Sequence, residues 1–263
     1  MSSRLAIGGI AAAIIAFVAH NRRSLSATGT IAAVLLGLVC SAAGWGWAAL
    51  LVSFFVSGTL LSRYKSSRKA AQIGSIVEKG GNRDAAQVLA NGGVFSAAAM
   101  GYLMTASPFW LCIGAGAIGA AAADTWATEI GVLSSRRPRS IINARVVPAG
   151  ESGGVTLLGT FGAALGASAM ALVACAAGWG NPAIAAAALG GVAGSTIDSI
   201  IGATVQTKRW CERCGESTER MTHDCGTPTE VAAGLPWMTN DTVNALSCFG
   251  GALIGSLVYI ATQ

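Results

Sequence analysis

Along this chain the apolar residues gather into long stretches, each about the length of a bilayer crossing, and almost every charge falls between them. A helix needs about 20 mostly apolar residues to cross the hydrocarbon. The stretches 4–20, 27–43, 46–62, 84–106, 109–132, 154–178, 182–206 and 242–262 meet that need. The pattern predicts an all-α, polytopic transmembrane helix bundle of about eight spans. It forms a single transmembrane domain over 1–263, with a polar loop at 207–239 inserted between the seventh and eighth spans.

Composition sharpens this picture: 53% of the 263 residues are hydrophobic and 11% charged, with a mean hydropathy of +0.59. A water-soluble enzyme domain is excluded. Lys and Arg collect in loops that stay cytoplasmic, and 16 of the 17 follow the first, third, fifth and seventh spans. That distribution predicts both termini on the non-cytoplasmic side. The first span also has the look of a secretory signal, but Phe17 stands where a cut after Ala19 would want a small side chain. The net charge of +5 suits an anionic leaflet and does not imply nucleic acid as a partner. Thirty-five glycines, among them the pair Gly162 and Gly166, suit close contact between helix backbones in lipid.

Against this background two acids stand out, Asp124 and Asp198, each deep inside a small-residue helix. A carboxylate near the bilayer centre costs roughly 2.5–3.5 kcal/mol, so one kept there normally faces a wet or metal-loaded cavity. Both stand about eight residues before the cytoplasmic end of their spans, a depth of roughly 12 Å at 1.5 Å per residue. Glu129 and Thr125 share a face of the same fifth span. The fourth span opens with Asn82, Arg83 and Asp84, and Asp84, Gln87 and Asn91 recur as a polar stripe. The eighth opens with Asn240, Asp241 and Asn244. Acids with amides nearby are the hard oxygen ligands that Mg²⁺ takes, leaving positions for water and phosphate. The turn from Pro148 to Thr156 contains Gly153 and Gly154, whose backbone N–H groups at a helix start are a candidate phosphate cradle, with Lys79, Arg83, Arg145 and Lys208 as counter-charges.

The insert carries different chemistry. Cys211 and Cys214, then His223 and Cys225, offer three thiols and an imidazole, an accepted set for a closed structural Zn²⁺ site. A thiol redox pair is the alternative.

These motifs together resemble an integral membrane family that includes the plant phytyl-phosphate kinase of vitamin E synthesis and many prokaryotic relatives. The likeness is carried by the segment from Asn82 to Gly93, Ala123 to Gly131, Gly153 to Thr160, Asp198 to Gln206, the Cys/His loop and Asn240 to Asn244. It implies phosphoryl transfer from a nucleoside triphosphate, with CTP as donor, to an isoprenoid monophosphate lipid. The protein would then be an integral membrane protein of a bacterial or archaeal cytoplasmic membrane, or of an organelle. On this reading Asp124, Asp198 and Asp241, helped by Glu129 and Asn240, hold Mg²⁺ on the donor phosphates. Arg83, Lys79 and the Gly153–Gly154–Thr156 turn bind phosphate, while Asn82, Asp84, Gln87, Asn91 and Asn244 line the substrate site. A lipid-phosphate cytidylyltransferase and an ion- or proton-coupled transporter are the alternatives, and a homo-oligomer is left open.

Overall fold

The computed structural model of the chain describes residues 2–73 and 82–263. Its helices follow the apolar stretches closely: α1 (Ser2–Asn21), α2 (Ala27–Ala43), α3 (Trp45–Arg63), α4 (Ser66–Ile73), α5 (Ala85–Thr105), α6 (Pro108–Gly131), α7 (Leu157–Ala176), α8 (Asn181–Thr204) and α9 (Asn240–Ala261). Seven are long and apolar enough to cross a membrane. The second, α2, has 17 residues and stands at the short end of the spanning range. The short α4 was not expected from the sequence, since eight mostly polar residues carry no spanning signal.

Helix α6 is the centre of the bundle, buried without a break from Gly114 to Ala123. Around it pack α3, α5, α7, α8 and α9, while α1 packs on α2 and α2 leans on α5 and α3. The glycines explain how backbones come so close. A Cβ at Gly116 would collide with the carbonyl oxygen of Gly251, and one at Gly119 with that of Ala187. Gly162 and Gly166 face the carbonyls of Trp126 and Ala122, at 2.7 and 2.6 Å from where their Cβ atoms would stand. Contact of this kind replaces the hydrophobic drive that lipid does not supply between helices.

One end of the bundle is plugged. Trp47, fully buried, packs tilted against Phe95 at 5.0 Å and edge-on against Trp179 at 4.8 Å between ring centroids. The other end holds the C-termini of α1, α3, α6 and α8, the N-termini of α2, α5, α7 and α9, and the basic connections among the described residues.

Small sheets, absent from the all-helical expectation, decorate that open end. Strands β1 (Arg139–Ser140) and β2 (Gly154–Val155) pair antiparallel before α7. Within the insert, β3 (Lys208–Cys211) pairs antiparallel with β4 (Glu216–Thr218) and with β5 (Glu230–Ala233), in the order β4-β3-β5.

Candidate functional site

A cavity of about 1140 Å³ occupies the open end, and Asp124 and Asp198 both line it. Close contact between α6 and α8 makes this meeting possible, because Gly191 and Gly194 abut Gly119 and Ala120 a turn deeper. The two carboxyls interact directly, and the charge of Glu219 also reaches Asp198. The Asp198 Oδ2 atom is buried and has no hydrogen-bond partner. Two unit charges ~4 Å apart repel by about 4 kcal/mol at an effective dielectric constant of 20. Such a pair with an orphaned oxygen fits a divalent cation, whose hard oxygen ligands are of this kind.

Glu129, further along α6, lines the cavity and pairs with Lys69 of α4 at 2.5 Å. Lys69 is only 7% exposed and also donates to the carbonyl of Leu61. Arg83 reaches the cavity from the other side. Its backbone is fixed, since Arg83 N donates to Ser24 O at 3.1 Å and Ser26 N donates to Arg83 O at 2.9 Å. Its guanidinium lies over the Phe55 ring at 5.8 Å, and Gly58 leaves the space for it. The charge of Glu129 reaches it as well.

Of the remaining expected residues, Gln87, Asn91, Gly153, Gly154, Thr156, Asn240 and Asn244 all line the cavity. Asn82, Asp84 and Asp241 do not. Asp84 instead caps α5, accepting from Gln87 N at 3.0 Å while Gln87 Oε1 accepts from Asp84 N, a reciprocal capping box. Asp241 sits on the first turn of α9, turned by about 100° from the face that Asn240 and Asn244 share. Lys79 lies outside the described residues.

The glycine turn works differently from the expected cradle. Helix α7 starts at Leu157, with Thr156 as its N-cap, so the turn lies ahead of the helix. Gly154 already donates its N–H to Glu151 O at 3.0 Å. Gly153, at φ +79°, presses against the backbone of Ala203 in α8. Gly153→Ala is expected to destabilise the protein by about 1–3 kcal/mol through overpacking, read as a lower melting temperature of the purified protein in detergent.

Sequence reasoning missed Glu219, which lines the cavity from the insert. Its Oε1 accepts from Ser152 Oγ and from Gln206 Nε2, the latter at 2.8 Å. Lys208 adds an ion pair to Glu151 at 2.8 Å, so the insert is tied to the 148–156 turn at two points. Arg136 and Arg137, read from the sequence as topology charges, stand exposed at the cavity rim.

The four expected zinc-type ligands do come together. Ligand atoms of Cys211, Cys214, His223 and Cys225 all lie within 4.8 Å of one another. Cys211 Sγ and Cys225 Sγ are 3.6 Å apart, close to the edge of about 3.8 Å set by Zn–S bonds of about 2.3 Å in a tetrahedron. Hydrogen bonding to Thr227 and then His223 pulls the Cys225 thiol down to about 5. A compatible metal site is therefore present, whatever ion fills it.

The sequence profile of the family described as "Integral membrane protein DUF92" matches residues 10–252. Among curated relatives, "Protein PGR" of Arabidopsis thaliana is 29% identical, over 98% of this chain and 97% of its own length. An uncharacterized membrane protein of Methanocaldococcus jannaschii is 28% identical, over 97% and 94%. "Protein VTE6, chloroplastic", also of Arabidopsis thaliana, is 27% identical over 89% of this chain and 65% of its own length. No solved structure matches the chain.

Proposed function

Because the chain belongs to the integral membrane family DUF92, the one to which its motifs pointed, we propose that it transfers a phosphoryl group from a nucleoside triphosphate, CTP by preference, to an isoprenoid monophosphate. The observation that carries this reading is the meeting of Asp124 and Asp198 in a cavity that opens at one end of the bundle, with a cation at its wall. Phosphoryl transfer asks for alignment and charge neutralisation more than for a strong base. An acceptor monophosphate is already ionised at neutral pH, with a second pKa of about 6.

In this scheme one oxygen of the acceptor phosphate forms a bond to the γ-phosphorus. The bond from that phosphorus to the β,γ-bridging oxygen breaks, and the nucleoside diphosphate leaves with the electron pair. Mg²⁺ bound at Asp124 and Asp198 would supply charge screening for the donor phosphates. Glu219 and Asn240 order that end of the cavity, while Arg83 binds the acceptor phosphate and the Lys69–Glu129 pair sets the field beside it. Arg136 and Arg137 at the rim meet the incoming triphosphate. The aromatic plug around Trp47 supports a one-sided enzyme over a transporter, which needs a path to the far side.

Purified protein supplied with labelled CTP, Mg²⁺ and C15 or C20 prenyl monophosphate should release CDP and form the prenyl diphosphate. Release of pyrophosphate in place of CDP would make it a cytidylyltransferase. Absence of any nucleotide product with every triphosphate would sink the reading.

A further inference from the structure

A second cavity, of about 110 Å³, lies between α1, α2, α3 and α5, and its walls are nearly all apolar. Small residues keep it open: Ala12 and Ala16 from α1, Ala33 and Gly37 from α2, and Gly92 from α5. Its inner end is made by Arg83, Gln87, Asn91 and Thr125, four residues that also line the polar cavity. The two spaces therefore lie on either side of these four residues, with Arg83 as the one cation among them. At its outer side the slot is bounded by α1 and α3, which come together at few points, among them Phe55 of α3 against the cluster of Ala16, Ala19 and Leu25. A seam so thinly packed would let a chain in the slot leave sideways into lipid.

We propose that this slot holds the tail of the acceptor, a branched hydrocarbon whose phosphate lies on Arg83. An amphiphile with an anionic head and an apolar tail is the ligand whose chemistry matches a polar chamber that shares a cationic wall with an apolar cleft. Buried apolar surface favours the tail, and the Arg83 fork suits a phosphate oxygen pair. The lateral seam lets the acceptor arrive from the bilayer while the triphosphate arrives from water, so the two substrates meet at Arg83 from opposite directions. The slot is short, so only the first part of the chain is gripped and the rest lies in lipid. The identity of the head as the phosphate acceptor rests on the kinase reading above; the slot as a tail site does not.

The test is equilibrium binding of C5, C10, C15 and C20 prenyl monophosphates to the full-length protein in detergent, without nucleotide. Wild type is compared with Ala33→Phe and Val88→Phe, which fill the slot, and with Ala33→Leu should either fail to fold. Affinity should rise with the first added isoprene units and then level off. Filling the slot should weaken C10 and longer ligands at least about tenfold, more than it weakens C5, with the melting temperature unchanged. Filled variants that melt like wild type and keep its chain-length profile would overturn the proposal. So would a phosphatidic acid that binds as tightly as the C20 monophosphate and is equally sensitive to filling. Slot-sensitive binding without CDP release keeps the tail site and removes the kinase reading; CDP release with slot-insensitive binding does the reverse.

Discussion

Asp124→Asn and Asp198→Asn are each expected to lower turnover by about 10²–10³-fold or more, the range seen when one preorganised charge-stabilising group is lost from an active site. The protein should remain folded in the membrane, and the stability readout separates this from a structural effect. Without a cation, two facing carboxyls oppose one another, and Asp198 Oδ2 has no partner to offset its burial. Each Asn variant should therefore melt at or above the wild-type temperature in the presence of a chelator. Added Mg²⁺ should raise the melting temperature of wild type, since a ligand at 100 times its Kd contributes about 2.7 kcal/mol. That rise should vanish in both variants. Variants that keep both the Mg²⁺-dependent shift and turnover would move the metal away from this pair.

The depth of these two acids was legible from the chain because they interrupt apolar helices, where a charge is anomalous. The spans were legible for the complementary reason, and α5, α6 and α9 end within a residue or two of the apolar stretches that predict them. Asp241 shows where that kind of reasoning stops. It shares a turn with Asn240 and Asn244, yet the packing of α9 decides which face looks inward, and a one-residue step swings a side chain by about 100°. Asp84 shows another limit. The spacing from Asp84 to Gln87 serves a cavity stripe and a capping box equally well, and Asp84 itself caps the helix. Gly153 likewise reads as a flexible phosphate turn, when its missing side chain instead admits the backbone of Ala203.

Lys69 and Glu219 were hidden by their surroundings. Lys69 is one of several basic residues after the third span, and nothing local marks it as the one that is buried against Glu129. Glu219 lies in a polar loop beside Glu212 and Glu216, where an acid is unremarked. Its role depends on long-range contacts with Ser152 and Gln206, and on how the insert folds back over the cavity. The β4-β3-β5 sheet, of which only Cys211 is a metal-type ligand, has no hydrophobic alternation for a reader of the sequence to find.

That arrangement leads to the second large effect. Glu219 falls between the two halves of the ligand set, after Cys211 and Cys214 and before His223 and Cys225. Binding of a structural Zn²⁺ contributes about 10–16 kcal/mol in small zinc-finger peptides at neutral pH, far more than the hydrogen bonds that hold the insert to the turn. Loss of the metal should therefore release Glu219 while the helices, packed by their own small-residue contacts, stay in place. Cys211→Ser and His223→Ala are expected to lose about one equivalent of bound metal per chain, measured by elemental analysis, and to retain helical circular dichroism. Turnover in both should fall about as far as in Glu219→Gln. Combining Cys211→Ser with Glu219→Gln should cost no more than either change alone, because residues acting through one element are not additive. Cys175→Ser, at an exposed site on α7, serves as the control and should change none of these quantities. A metal-free Cys211→Ser protein with full turnover would separate the insert from the chemistry, and a strictly additive double variant would show that Glu219 is positioned without the metal.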